Sequence, residues 1–479
     1  MSPSPRIHVL PVADFTFEQG IADIRRVLAL PSSFPPEVEA AAARAAANPR
    51  LPDLDRTDLM LVTIDPQGSM DLDQAMCLER RGGGYRVYYA IADVAAFVTA
   101  GDPVDVESNR RGETLYGADS RILLYPGVLS EGAASLLPDQ LRPALLWTID
   151  LDARGEIVTT DVRRARVRSR GKFDYPGVQQ RLDAGSAEPM WLLLREIAAL
   201  RKQLEIERGG VSLALPEQEI ASTDGHWQLA YRGMEPIEDW NAQISLLTGM
   251  AAARLMLAGR IGVLRTLPPP PSEAIARLRL TAKALDIAWP DAESYPDFIR
   301  SLDPALPRHV AMMTSCTTVL RGAGYAAFNG ALPDQPLHSA IAAPYAHVTA
   351  PLRRLVDRYA GEVCVALCAG QAVPDWVQLA LPGLPATMAA ADRRAGQYQR
   401  AIVDLIEALI LAHRVGEIFE GSIISTASRA SDGGIVMLRE PAIEARVTGS
   451  GPLPLGADVR VKLIAADPLR RTTSFQIVG

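Results

Sequence analysis

TIDPQGSMDLDQA, Thr63 to Ala75, follows the apolar run LMLV and sets Asp65, Asp71 and Asp73 within nine residues. The first carboxylate leaves a strand, and Pro66 and Gly68 allow the following loop to turn back, so that all three can converge. Converging carboxylates repel one another unless a cation joins them. An all-oxygen set without His or Cys suits Mg²⁺ or Mn²⁺ better than Zn²⁺. The D-x-D-x-D-G spacing and closing Glu of an EF-hand are missing. The competing reading is an Asx-rich turn with solvated carboxylates.

Around this loop lies an ordinary globular composition. The 479 residues are 48% hydrophobic, enough for a sizeable core and for two to four domains of common size. No run of uncharged apolar residues has the length of a membrane span, and MSPSPRIHVL lacks the apolar core of a secretory signal, so the cytoplasm is the expected compartment. Cys77, Cys316, Cys364 and Cys368 form no C-x-x-C pair, which gives neither a zinc site nor a disulfide framework. A net charge of −7 excludes a surface coated in nucleic-acid-binding charge but leaves room for a local basic channel.

The flanking segments alternate in character. Phe17, Ile21, Ile24 and Leu28 share one helical stripe, and EVEAAAARAAA after Pro36 is a second helix of scaffolding type. Two apolar runs around Gly82-Gly83-Gly84 predict a hairpin. Further on, Arg164, Arg166, Arg168, Arg170 and Lys172 recur at every second residue, so a strand presents all five on one face. That face is either solvated or a groove lined with phosphates, and mutual repulsion of five cations makes the groove a serious competitor. The middle is helical, with helices expected over 191–207, 240–257, 272–285, 310–320, 352–368 and 397–415. Five short strands after residue 414 fit a small barrel of OB type.

The acidic loop resembles the signature of the ribonuclease II (RNB) family of exoribonucleases, T-I-D-x-x-x-S-x-D-x-D-D-A. Further similarities follow in the same chain order: AIADVAAFV at 90–98, TLY at 114–116, LSEGAASLLP at 129–138, RGGVS at 208–212, YAHVTAPLRRLVD at 345–357 and ADRRA at 391–395. The resemblance implies an α+β protein with an RNB-type catalytic domain (51–413) and a C-terminal all-β OB-like barrel (414–479), preceded by a helical segment (1–50) in place of the family's cold-shock domains. It implies a 3′-to-5′ exoribonuclease that hydrolyses single-stranded RNA to nucleoside 5′-monophosphates with Mg²⁺ or Mn²⁺, with no membrane or DNA partner. By position, Asp65, Asp71, Asp73 and Gln74 are the implied metal ligands, Asp73 the residue most needed for catalysis, and Arg353 the contact to the scissile phosphate. Arg353 has an alternative as a helix-start arginine paired with Asp357 at i+4. Tyr116 matches a base-stacking clamp and Tyr175 the tyrosine near the scissile end. Arg166, Arg168, Arg170 and Lys172 are the expected contacts to the RNA backbone.

Several positions depart from the family pattern. Gln74 stands where a fourth loop carboxylate is expected, Ala242 and Gln243 where a helix usually carries Glu-Glu, and Leu213 where a second clamp aromatic is expected. Gln74, Ala242, Gln243 and the acidic charge balance favour the alternative of an RNA-binding protein of the same fold with weak or lost turnover, whereas the three retained aspartates and Arg353 favour the enzyme.

Overall fold

The computed structural model describes residues 17–118, 120–213, 217–223, 226–426 and 433–478, so the start of the N-terminal segment lies outside the described residues. The glycine hairpin forms as the sequence predicts. Strand Gln74–Arg81 turns back as Gly84–Ala92 with Arg81 opposite Gly84. Gly82 takes a φ of 57°, in the left-handed region. A Cβ on Gly84 would lie 2.0 Å from the Leu151 carbonyl oxygen, so that position is closed to side chains.

These two strands belong to a closed barrel completed by Leu61–Asp65, Leu141–Leu151 and Ile157–Asp174. Closure comes where Leu61–Asp65 runs antiparallel to Gln74–Arg81 and parallel to the end of Ile157–Asp174, with Asp65 opposite Asp174. The acidic loop therefore hangs from one rim of the barrel, between its first two strands. Residues alternating with the cations of the long strand, Ala165, Val167 and Ser169, are buried, and the cations themselves are half-buried or exposed. The one-face pattern read from the spacing is present.

Helices pack around the barrel. Pro236–Gly259 is long and apolar enough for a membrane span by composition, but Ile237, Ile244, Leu247, Ala251 and Met256 are buried in the main core. Leu355–Cys368 begins three residues later than expected because Arg354 is extended, with a φ of −134°, and pairs with Glu113 in an isolated β-bridge. Leu384–Leu411 begins well before the expected Gln397. Its first half packs through Leu384 and Met388 in the same core, a context that periodicity does not supply.

The N-terminal helix Phe17–Val27 lies against Leu384–Leu411, with Ile21 and Ile24 buried beside Ile402 and Leu405. Its Gly20 permits the approach, since a Cβ there would meet Leu405 at 2.5 Å. The C-terminal strands Ile418–Thr426, Gly434–Leu438, Glu444–Thr448, Asp458–Asp467 and Thr472–Ile477 close a second five-strand barrel, at the expected place.

Candidate active site

The acidic loop is fixed from three sides. The Ser135 hydroxyl donates to Met70 O at 2.6 Å and accepts from Leu72 N at 2.9 Å. Leu136 N donates to Leu72 O, and Ala92 N to Asp73 O. The LSEGAASLLP segment thus works as a buckle, holding Asp71 and Asp73 in place without contributing a side chain to the reaction.

Asp73 is buried, with 4% of its surface exposed. Its Oδ1 accepts from Leu352 N at 2.7 Å and its Oδ2 faces Arg353 Nε at 3.5 Å, an ion pair rather than a hydrogen bond. Burial pushes its carboxyl up to about 8, against the pull of Arg353. Asp65 is pushed up to about 7, first by burial and then by the charge of Asp71. Asp71 accepts from Arg121 Nη1 at 2.6 Å, and Tyr116 reaches its other oxygen at 3.5 Å. The i+4 alternative for Arg353 is excluded: it is Arg354 that pairs with Asp357, at 2.9 Å, which leaves the Arg353 side chain 43% exposed over the acidic cluster.

Among the described residues no three His, Cys, Asp or Glu side chains are gathered closely enough to hold a metal ion. Asp65 Oδ2 is nonetheless buried without a hydrogen-bond partner among the described residues, and it feels the charge of Asp71. Two carboxylates of this kind, completed by water and substrate phosphate, fit Mg²⁺, which seldom takes an all-protein cage. Gln74 does not complete the set as it stands. Its Nε2 donates to Thr349 O at 2.5 Å and its Oε1 accepts from Tyr89 at 2.8 Å, so a metal role asks the Tyr89 bond to break.

The raised carboxyls predict a pH response. Both folded values lie above the ordinary 3.8, so the folded chain binds more protons than the unfolded one between about pH 4 and 8. Stability from these groups is full below pH 4 and is lost as pH rises through 7 and 8. Melting in chelator should therefore fall across pH 5 to 8.5, and the fall should be shallower in Asp65→Asn. Equal slopes in both proteins would remove Asp65 from the strained cluster.

Tyr175 opens the helix Tyr175–Asp183, where Asp174 caps Gly177 N at 2.7 Å. Its hydroxyl accepts from Asn241 Nδ2 at 3.1 Å and is pushed up to about 12 by burial and then by Asp65. Asn241 was not singled out by sequence reasoning, nor was Arg121; neither carries a motif, and only the fold brings them to the site. Asn241 Oδ1 is buried without a hydrogen-bond partner among the described residues. Gln243 is occupied with Glu205, at 3.1 Å, and Leu213 packs against the cluster around Phe298 and Met312.

The cationic strand divides. Arg164 is taken by Asp93 at 2.9 Å and by Glu362, so it braces the fold. Arg166 faces Asp55 at 3.4 Å, and Arg170 donates to Thr57 O at 2.5 Å. Among the described residues Lys172 meets Met70 Sδ, at 3.9 Å, and its charge is felt by Asp65. Arg168, whose Nε has no hydrogen-bond partner among the described residues, and Lys172 are thus the better candidates for phosphate contacts. Replacing both with Gln should flatten the salt dependence of RNA affinity by roughly 0.7 in slope per lost contact, with melting unchanged. An unchanged slope would take this strand off the RNA path.

On the barrel rim, Arg353 is thus set over Asp73, with Tyr116 against Asp71 and Tyr175 in the field of Asp65. Residues 54–366 match the RNB domain and residues 417–478 the RNase II-type exonuclease C-terminal S1 domain, so the chain belongs to the RNB family. Ribonuclease R of Escherichia coli (strain K12) is 28% identical over 408 residues, 78% of this chain and 48% of that protein. Exosome complex exonuclease RRP44 homolog A of Arabidopsis thaliana is 29% identical over 342 residues, 67% of this chain and 36% of that protein. The chain spans about half the length of these curated relatives, or less. In fold it is similar to Mycoplasma genitalium RNase R in complex with ribose methylated single-stranded RNA, with a TM-score of 0.86, 20% identity, and 96% and 78% of the two chains covered. It is also similar to yeast Ssd1, a pseudonuclease, with a TM-score of 0.69, 17% identity, and 95% and 57% covered.

Proposed function

We propose that the chain is a 3′-to-5′ exoribonuclease that hydrolyses single-stranded RNA, acting in the cytoplasm. One observation carries the reading: a buried Asp73, anchored by Leu352 N and faced by Arg353, beside an Asp65 whose oxygen has no partner. Asp65 and Asp71 would hold the Mg²⁺ ion, or Mn²⁺ in its place, which supplies Lewis acidity toward the phosphate. Arg353 presents a planar guanidinium to the phosphate oxygens as charge grows on them. Tyr116, 38% exposed, offers a ring on which a base stacks. Tyr175 borders the terminal nucleotide. In its ionised form, which Arg353 favours against burial and a bound cation would favour further, Asp73 takes the proton of the attacking water. The water oxygen bonds to phosphorus as the P–O3′ bond breaks, the 3′ oxygen of the shortened RNA takes a proton from solvent, and a nucleoside 5′-monophosphate leaves.

A second reading rests on Gln74 and Gln243, both engaged by protein partners where the family pattern has carboxylates: an RNA-binding protein of RNB fold with little turnover. A 5′-labelled RNA with a single-stranded 3′ tail, incubated with Mg²⁺ or Mn²⁺ against chelator, separates the two. A descending ladder only in metal establishes the nuclease, and intact RNA in a retarded complex establishes the binder.

A further inference from the structure

Helix Phe17–Val27 reaches the hairpin beside the acidic cluster through Arg25. Arg25 Nη2 donates to Ser120 Oγ at 2.5 Å and its Nε to Tyr398 OH at 3.3 Å. Ser120 precedes Arg121 in a short hairpin in which Leu115 pairs with Ile122 and Tyr116 with Arg121. From that hairpin Arg121 binds Asp71 and Glu131, each at 2.6 Å, and Tyr116 reaches Asp71.

Independent packing supports the link. Leu115 and Ile122 share an apolar cluster with Ile21, Ile24, Ile402 and Leu405. A Cβ on Gly117 would meet Tyr398 OH at 2.9 Å, so the hairpin sits tightly on the helix that carries Tyr398. The far side of the N-terminal helix is tied to the terminal barrel, where Arg471 Nη1 meets Asp23 at 3.1 Å.

We propose that the N-terminal helix is a brace for the site and that Arg25 is a positioning residue, fixing the 115–122 hairpin and with it Tyr116 and the Arg121 contact to Asp71. The two-residue strands of this hairpin cannot hold it alone. Its effect on RNA rests on the reading of the site as an exoribonuclease centre; its effect on the hairpin does not.

The test uses the full chain and the variants Arg25→Ala, Ser120→Ala and the double variant, with Arg26→Ala as the control on the solvent side of the same helix. Hydrogen exchange without RNA reads the hairpin. Exchange over 115–122 should quicken in Arg25→Ala and in Ser120→Ala, and remain unchanged in Arg26→Ala. Steady-state cleavage reads the site: KM for RNA should rise by about tenfold, the ordinary worth of a hydrogen bond to a charged group, with kcat little changed. The double variant should be no worse than either single one. Unaltered exchange in both single variants, or effects that simply add, would overturn the brace. Faster exchange in a protein that neither binds nor cleaves RNA would overturn the proposed function and leave the brace standing.

Discussion

Asp73→Asn should abolish RNA hydrolysis, lowering kcat by about three orders of magnitude or more, as removal of a central catalytic carboxylate ordinarily does. The amide keeps the shape of the side chain, and its oxygen can still accept from Leu352 N, which now binds Oδ1 at 2.7 Å. What is lost is a proton acceptor and the charge opposite Arg353. Asp65 and Asp71 cannot replace it, since neither shares the anchor on Leu352. RNA affinity, measured by gel retardation in the absence of cleavage, should stay near the wild-type value. Retained turnover in this variant would remove Asp73 from the reaction.

Neighbouring arginines should fail in opposite ways. Arg353→Gln should lower kcat by about a hundredfold to a thousandfold, the usual cost of removing one preorganised donor aimed at developing charge, and leave the melting temperature alone. Its side chain is 43% exposed and makes one long ion pair, so the fold depends little on it. Arg354→Gln should instead destabilise the protein by about 3–5 kcal/mol, because it strands Asp357 as a buried charge. Asp357 holds both Arg354 and Ala350 N, at 2.9 and 2.7 Å, and thereby shapes the turn that carries Leu352 and Arg353. Single-turnover cleavage and thermal melting of the two variants make the comparison. A large loss of stability in Arg353→Gln would mean that this arginine serves the fold rather than the phosphate.

Local chemistry was enough for some of the architecture. The Gly82 turn requires a positive φ, the alternation of cations with Ala165, Val167 and Ser169 requires a strand buried on one side, and the spacing of the acidic loop requires a turn between strands. The terminal barrel was legible for the same reason, as five short β-rich runs between turn residues. Each is fixed by neighbours a few positions away, so the sequence alone determines it.

The division of labour within the site has a different origin. Asp93 and Glu362 withdraw Arg164 from the cationic row, although they lie 71 and 198 positions away along the chain. Gln74 is turned from the cluster by Thr349 at a separation of 275, and Arg121 is brought onto Asp71 by a hairpin whose brace is Arg25. Arg353 and Arg354 are adjacent in sequence, yet only the turn ordered by Asp357 decides which is buried and which is offered to a phosphate. A charged side chain takes the partner that the fold delivers, since an unpaired charge inside is too costly to keep. Tertiary structure alone therefore separated the cations and amides that serve the fold from those left facing the site.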